Sequence, residues 1–367
     1  MIKTRFVGST LLSYMDERCP TTIDETTLRL QSFAGHIINK KTDNKPAIMI
    51  VSRTPFRVSF CGGGTDIPSY YRKNGGCVIS TSIDKYVYIT LTKSFHPTTI
   101  LKYSVVENTD SPEKINHPIF RELLSKYDTK GVEINSTSNI PAGTGLGSSS
   151  AFTVGVTNVV RTYNHQIVSK RILAEEACDV EINRLKSPIG KQDQYASAYG
   201  GLNFIRFNKD DTVDVEPIDL YPAEKAKMFD NLLMFYIGGT RSASKVIEGY
   251  KDSSASLSSL SGLAERLKYD LSKGNISSLG KTLDEGWKIK RSISEGISNP
   301  EIDRIYETAL DNGAVGGKLL GAGSKGFMLF YVEEDCQNAV RESLSDYREL
   351  RFTFDDEGSK IVYNDEM

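Results

Sequence analysis

The 367-residue sequence is short of the residues that staple or metallate small proteins: it has five cysteines, four histidines and one tryptophan. Cys19, Cys61, Cys77, Cys178 and Cys336 are an odd, scattered set with no C-x-x-C pair. A disulfide framework and a zinc site are both excluded on that spacing, and a reducing cytosol fits it. His36, His96, His117 and His165 stand apart from one another, so they read as structural or solvated groups outside the chemistry. No basic block of five or more occurs, and 45 Lys+Arg balance 47 Asp+Glu to a net charge of −2. The electrostatic footprint of a nucleic-acid binder is therefore missing. No apolar run approaches the ~20 residues of a membrane-spanning helix. The short apolar patch near the N-terminus is interrupted by Tyr14 and followed by Asp16 and Glu17, which makes it a poor secretory signal. What remains is ordinary globular composition, 39% hydrophobic and 25% charged, in a length that suits roughly two domains.

Internal repeats are absent, and the one biased stretch is serine-rich, over residues 253–261. Residues 1–48 lack a sustained period and end in the polar run from Lys40 to Pro46. They read as an N-terminal extension outside the catalytic core, with further divisions at 49–212 and 213–367. From Met49 the pattern becomes strand-like through Phe60. The β-branched and aromatic stretches 77–83 and 86–92 read as two strands paired with each other. Val132–Asn135 alternates apolar and polar residues ahead of a glycine loop, and helical patterns follow over 152–163 and 169–186, the latter with Ser169 as N-cap. A short helical piece at 223–228, a buried strand at 232–237, a nearly continuous helical region at 255–310 and a late strand at 326–332 complete the reading. Strands and helices in this irregular order predict an α+β fold.

The segment with most chemical content is Pro141-Ala142-Gly143-Thr144-Gly145-Leu146-Gly147-Ser148-Ser149-Ser150, at a strand-to-helix junction. Glycines at alternate positions let the backbone turn tightly and offer its N–H groups, and the following helix adds its positive end. Such a loop is an anion cradle. Serine hydroxyls at the helix start can bond phosphate or ligate Mg²⁺. No Gly-Lys-Ser/Thr closes it, so it is not a Walker A loop. Arg57 and Asp66 flank the run Gly62-Gly63-Gly64, where a substrate can lie against bare backbone. Glu181 and Asp193 lie either side of a Ser-Pro-Ile-Gly turn. Magnesium-dependent phosphoryl transfer needs that division, one carboxylate for the metal and one facing the attacking hydroxyl. A second glycine-rich turn runs from Gly313 to Phe327.

Taken together and in this order, the segments resemble the GHMP kinases (galactokinase, homoserine kinase, mevalonate kinase and phosphomevalonate kinase) from about Ile50 to the C-terminus. Within that superfamily the wording is most similar to the heptose 7-phosphate kinases. The likeness is carried by F-C-G-G-G-T-D-I-P (60–68), G-K-Q-D-Q-Y-A-S-A-Y-G-G-L-N (190–203), G-G-T-R-S-A-S (238–244) and W-K-I-K-R-S-I-S (287–294). Galactokinases carry a Glu-His pair where this chain has Gly63-Gly64. The third glycine motif also departs from relatives, because Ser324-Lys325 interrupts a run that is commonly unbroken.

The resemblance implies an N-terminal ribosomal S5-like ATP-binding domain, a C-terminal ferredoxin-like domain and a site between them, with ATP and Mg²⁺ as cofactors. Pro141, Gly143, Gly145, Leu146, Gly147, Ser148 and Ser149 are implied as nucleotide contacts. Ser149 and Glu181 are implied as metal ligands, Asp193 as the catalytic aspartate and Arg57 as the basic residue that stabilises the transferring phosphoryl group and helps activate the hydroxyl. Gly63, Gly64 and Asp66 are implied at the sugar, and Arg241 at the sugar phosphate, because a fork of N–H donors suits a phosphate. The implied activity is phosphorylation of the anomeric hydroxyl of D-glycero-D-manno-heptose 7-phosphate for GDP-heptose and surface glycan supply, in the cytoplasm and without nucleic-acid or membrane partners. A fucose, galactose or mevalonate kinase on the same fold is the alternative. A catalytically silent sugar sensor is a third reading, disfavoured because Arg57, Ser149, Glu181 and Asp193 are all present.

Overall fold

The computed structural model describes residues 48–239, 253–294, 296–321, 323 and 325–365. The chain divides into two units, Met1–Pro46 and Ala47–Met367, and every described residue belongs to the second. Ile48 is 4% exposed within the core, and its carbonyl accepts from the Lys93 N–H at 3.1 Å. The folded unit thus takes in the last residue of the segment read as an extension.

The first sheet is built on two long strands. Strand β1 (Met49–Cys61) alternates buried and partly exposed residues at first, then is buried throughout from Phe56. Strand β2 (Gly76–Lys93) pairs antiparallel with β1 along one edge. The strands added to it are β3 (Thr99–Lys102), β4 (Val106–Thr109), β5 (Val132–Ser138), β6 (Leu202–Phe207) and β7 (Val213–Pro217). The sequence expectation of two mutually paired strands at 77–83 and 86–92 is corrected: both lie in the single strand β2. Asp84-Lys85 resembles a turn in sequence, but the Asp84 N–H donates to the Thr353 carbonyl at 3.0 Å, and the Asp84 carboxylate accepts from the Thr353 N–H at 3.0 Å. A distant segment satisfies Asp84, and the strand continues past the pair through a bulge, with Ile83 opposite Phe56 and Tyr86 opposite Pro55. Its free edge then serves two partners, β6 against residues 76–81 and β5 against 87–93.

The second sheet is antiparallel throughout. Its strands are β8 (Leu232–Tyr236), β9 (Ala314–Leu319), β10 (Phe327–Val332) and β11 (Arg348–Glu349), in the order β11-β8-β10-β9. The C-terminal strand β12 (Lys360–Asn364) returns to pair with β1. Sheet boundaries therefore do not follow the linear division at 212/213, because β7 and β12 both belong to the first sheet.

Helices fill the faces between and around the sheets. They are α1 (Pro68–Asn74), α2 (Pro118–Lys126), α3 (Ser148–Tyr163), α4 (Lys170–Cys178), α5 (Gln192–Tyr199), α6 (Pro222–Asp230), α7 (Ser254–Ser272), α8 (Ser278–Ile293), α9 (Pro300–Asp311) and α10 (Gln337–Ser343). Period-2 alternation in β8 and β10 explains why both read as unbroken apolar runs. Leu233, Phe235, Met328 and Phe330 pack with Trp287, Ile302 and Ile305, whereas Met234, Leu329 and Tyr331 face the larger core. A strand covered on both faces needs apolar residues at every position. Helix α3 presents Val156, Val159 and Val160 to the same core as β1 and β2, which fixes its N-terminus beside Arg57. Among the described residues Cys61, Cys77, Cys178 and Cys336 are free thiols, and no helix is long and apolar enough to cross a membrane.

Candidate active site

A cleft of about 1080 Å³ gathers the glycine loop, the start of α3, the turn before α5 and the second glycine turn. Gly143, Gly145 and Gly147 all take positive φ, at 76°, 89° and 75°, so the alternate glycines serve a conformation that other residues adopt only under strain. The Gly143 N–H donates to the Ser148 Oγ at 3.1 Å, and the Thr144 hydroxyl to the Pro141 carbonyl at 3.0 Å. These bonds close the loop before any ligand arrives. The segment read as a second glycine-rich turn from Gly313 to Phe327 is corrected: Ala314–Leu319 is strand β9, and the turn that begins at Leu320-Gly321 lies against the back of the loop. A Cβ on Gly145 would stand 2.4 Å from the Leu320 carbonyl oxygen, and one on Gly321 would stand 2.5 Å from the Gly145 Cα.

Arg57 enters from β1 and is 6% exposed. Its Nε and Nη2 donate to the two carboxylate oxygens of Asp193 at 2.7 and 2.8 Å, and its Nη1 to the Gly145 carbonyl at 2.6 Å. The planar fork thereby ties the carboxylate to the loop with fixed geometry. Gly147 is tight against both partners, with a Cβ placed there 3.1 Å from Arg57 Cγ and 3.3 Å from Asp193 Oδ2.

Glu181 lies in a wide π-type turn, Asp179–Arg184, that continues α4. The sequence predicts an unbroken helix over 169–186; the widened turn instead interrupts its ladder, a feature frequent at functional sites. Ser169 caps the helix as expected, accepting from the Ile172 N–H. Glu181 is 2% exposed and accepts from the Ser149 hydroxyl at 2.9 Å and the Gln194 amide at 2.7 Å. Burial pushes its carboxyl up, opposed by hydrogen bonds from Ser150, Gln194 and Ser149. A hydroxyl and a carboxylate in contact are hard oxygen donors of the kind Mg²⁺ takes. Among the described residues no cluster of three or more His, Cys, Asp or Glu is arranged for a metal.

Asp66 is also buried, at 8% exposed. Its two oxygens accept from the Gly64 N–H at 2.9 Å and the Gln192 N–H at 3.1 Å. Burial, then the charge of Asp193, pushes its carboxyl up against those hydrogen bonds. Arg57 and Asp66 both line the cleft, although the partner of Arg57 is Asp193. Gly190 makes the Asp66 position possible, since a Cβ there would overlap Asp66 Oδ2 at 1.9 Å.

Gly63, Gly64, Pro141, Ser148 and Ser149 line the same cleft, whereas Leu146 is fully buried behind it. Arg241 lies outside the described residues, as do Ala322 and Ser324 of the interrupted motif. Lys325 lines the cleft. Sequence reasoning missed four residues here: Gly190, Gln192, Lys290 and Lys318. Gln192 is 3% exposed, its Oε1 accepts from the Ser59 hydroxyl at 3.1 Å, and its Nε2 has no partner. His117, read from sequence as outside the chemistry, stands on the cleft wall against Tyr103, Phe120 and Phe152.

An anion cradle, a fork-bound carboxylate and a hydroxyl–carboxylate pair thus meet around one cleft, an arrangement suited to phosphoryl transfer. Comparison with known proteins agrees. Residues 115–201 match the GHMP kinases N terminal domain and residues 267–347 the GHMP kinases C terminal region. The chain is 31% identical over 303 residues to a D-glycero-alpha-D-manno-heptose 7-phosphate kinase of Campylobacter jejuni, covering 77% of this chain and 89% of that protein. A solved structure of a putative sugar kinase from Campylobacter jejuni superposes with a TM-score of 0.71 at 28% identity, covering 86% of this chain and 98% of that one. A D-glycero-D-manno-heptose 1-phosphate kinase from Bacteroides thetaiotaomicron shares the fold, with a TM-score of 0.71 at 23% identity over 86% of this chain and 99% of that one. The chain belongs to the GHMP kinase family. It is an ATP-dependent phosphotransferase with an alcohol group as acceptor.

Proposed function

We propose that the protein transfers the terminal phosphoryl group of ATP to the anomeric hydroxyl of D-glycero-D-manno-heptose 7-phosphate, giving the 1,7-bisphosphate. The carrying observation is the Asp193 carboxylate held by both arms of the Arg57 fork at 2.7 and 2.8 Å against the glycine loop. Similarity to the Campylobacter jejuni heptose 7-phosphate kinase over 89% of its length supports the choice of acceptor.

In this mechanism the loop N–H groups and the N-terminus of α3 receive the nucleotide phosphates. Asp193 faces the anomeric hydroxyl, orients it and accepts its proton as the oxygen attacks phosphorus. Arg57 holds Asp193 in place and meets the negative charge on the transferring group. Gly63 and Gly64 leave room for the sugar, and Asp66 accepts from its hydroxyls. Ser149 and Glu181 would hold Mg²⁺, which when bound neutralises charge on the phosphate oxygens. Arg241 is the proposed contact for the 7-phosphate. The product feeds nucleotide activation of the heptose for surface glycan, and the cytoplasm is the proposed compartment, in keeping with the buried free thiols.

The test is ADP release with Mg²⁺-ATP against heptose 7-phosphate, mannose 6-phosphate, galactose, fucose and mevalonate. Selective turnover of heptose 7-phosphate is expected. Preference for an unphosphorylated acceptor would overturn the substrate while leaving the phosphotransferase chemistry in place.

A further inference from the structure

Lys290 sits in the last turn of α8, 9% exposed and on the wall of the cleft. An ammonium has three N–H donors. The bond made by Lys290 Nζ is to the Gly321 carbonyl at 2.7 Å, and no described carboxylate lies within ion-pairing distance. Lys318, 6% exposed, also lines the cleft. Its Nζ donates to the Ser59 carbonyl at 2.8 Å and the Phe60 carbonyl at 3.1 Å, again without a carboxylate among the described residues. Burying one cation without a counter-ion is costly, and burying two that repel is more so. The fold bears that cost beside the loop where phosphate arrives.

Position decides what the vacant donors serve. The carbonyl that holds Lys290 belongs to Gly321, which abuts Gly145, and Arg57 holds the Gly145 carbonyl from the other side. Lys290 thus flanks the same loop contact as Arg57. The charged groups that face it are Arg57 from β1, Asp66 from the turn after β1, Asp193 from α5 and Lys318 from β9.

We propose that Lys290 is a phosphate-binding residue of this site, its vacant N–H donors taking an oxygen of a phosphate dianion at the transfer end of the cleft. Two phosphates can supply that oxygen, the terminal phosphoryl group of ATP and the phosphate of the acceptor. Burial, then the charge of Arg57, lowers Lys290 to about 8, so an arriving dianion also secures its proton. The proposal extends the reading given under the proposed function, but it requires only that a phosphate enters the cleft.

The test is calorimetric titration of the full chain, wild type against Lys290→Met and Lys290→Arg, with melting midpoints recorded for each. Mg²⁺-ADP, Mg²⁺-AMPPNP, and inorganic phosphate or heptose 7-phosphate added to the Mg²⁺-ADP complex are the ligands. If the terminal phosphoryl is the source, Lys290→Met weakens AMPPNP about tenfold or more with ADP unchanged. If the acceptor phosphate is the source, both nucleotides bind as in wild type and heptose 7-phosphate weakens by a similar factor. In either case Lys290→Arg restores part of the loss and inorganic phosphate binds more weakly to Lys290→Met. Equal binding of all ligands by wild type and Lys290→Met overturns the proposal. A uniform loss that follows a lowered melting midpoint, with no rescue by arginine, also overturns it and leaves Lys290 a strut for Gly321. Failure of wild type to turn over heptose 7-phosphate would remove the proposed substrate, while the ADP, AMPPNP and inorganic phosphate comparison would still decide the role of Lys290.

Discussion

Arg57 and Lys290 reach one cleft, from β1 and from α8, and they keep different company. Arg57 is neutralised by a bidentate carboxylate and fixed to the glycine loop, whereas among the described residues Lys290 has a single carbonyl partner. A cation already paired is a positioning device, because its geometry is settled before substrate arrives. A buried cation without a carboxylate is an unmet demand for negative charge. One cleft thus holds the Asp193 carboxylate in a fixed geometry and, among the described residues, leaves a second cation without a carboxylate.

Removing the neutralising partner is the largest perturbation of that contrast. Asp193→Asn should lower kcat by about 10²–10⁴ with KM for ATP little changed; steady-state kinetics at saturating ATP measure it, and an unchanged kcat would remove Asp193 from the chemistry. Next is the loop contact that both cations flank. Gly145→Ala places a methyl 2.4 Å from the Leu320 oxygen at φ +89°. About 1–3 kcal/mol of strain is expected, read as a lowered melting midpoint and a fall of roughly tenfold in kcat/KM for ATP. A variant with wild-type kinetics would show that the two glycine turns need not meet.

A smaller effect comes from pH. Lys290 is cationic below about 8 and neutral above it, so the kcat/KM of the phosphate it binds should fall as pH rises through that range. The slope is at most about tenfold per unit for one proton. Lys290→Arg should move the falling limb upward, because guanidinium keeps its proton; an unmoved limb would assign the loss to another group.

Glu176 supplies the contrasting case of a buried carboxylate far from the reaction, and the smallest effect on turnover. It accepts from Lys126 at 2.6 Å, Arg161 at 2.7 Å and the Tyr127 hydroxyl at 2.8 Å. Burial alone raises its carboxyl, but these donors outweigh burial and hold it below the usual range. Its stabilisation is therefore complete at neutral pH and lost as pH falls through the lowered value. Glu176→Gln should cost about 1–3 kcal/mol of stability, seen in denaturant melts, with kcat within about twofold. A large loss of turnover at unchanged stability would connect Glu176 to the site.

How far the sequence carried the reading can be judged from particular residues. The strand-to-helix loop was legible because glycine at alternate positions has few other uses, and Arg57, Asp66, Glu181 and Asp193 were legible because each sits in a short segment of distinctive wording. Lys290 and Lys318 were not. A lysine in a helix or strand is ordinarily solvated, and although apolar residues stand near each, Trp287 before Lys290 and Leu319 after Lys318, local wording does not show that the lysine is buried with them. Gly190 was legible only as a turn residue: its necessity comes from a carboxylate 124 positions earlier in the chain, at Asp66. The strand at 76–93 was misread because local composition shows a polar pair and cannot show the backbone that satisfies it.

By itself the sequence carried the α+β class in its order of strands and helices and the phosphoryl-transfer chemistry in local spacing (glycines that set a loop, serines that follow it, carboxylates either side of a turn), while the family came from the resemblance of its motifs. Only the tertiary structure decided which charges are paired and which are left open. Burial and pairing depend on residues far apart in the chain, brought together when β12 closes on β1 and the second glycine turn packs behind the first.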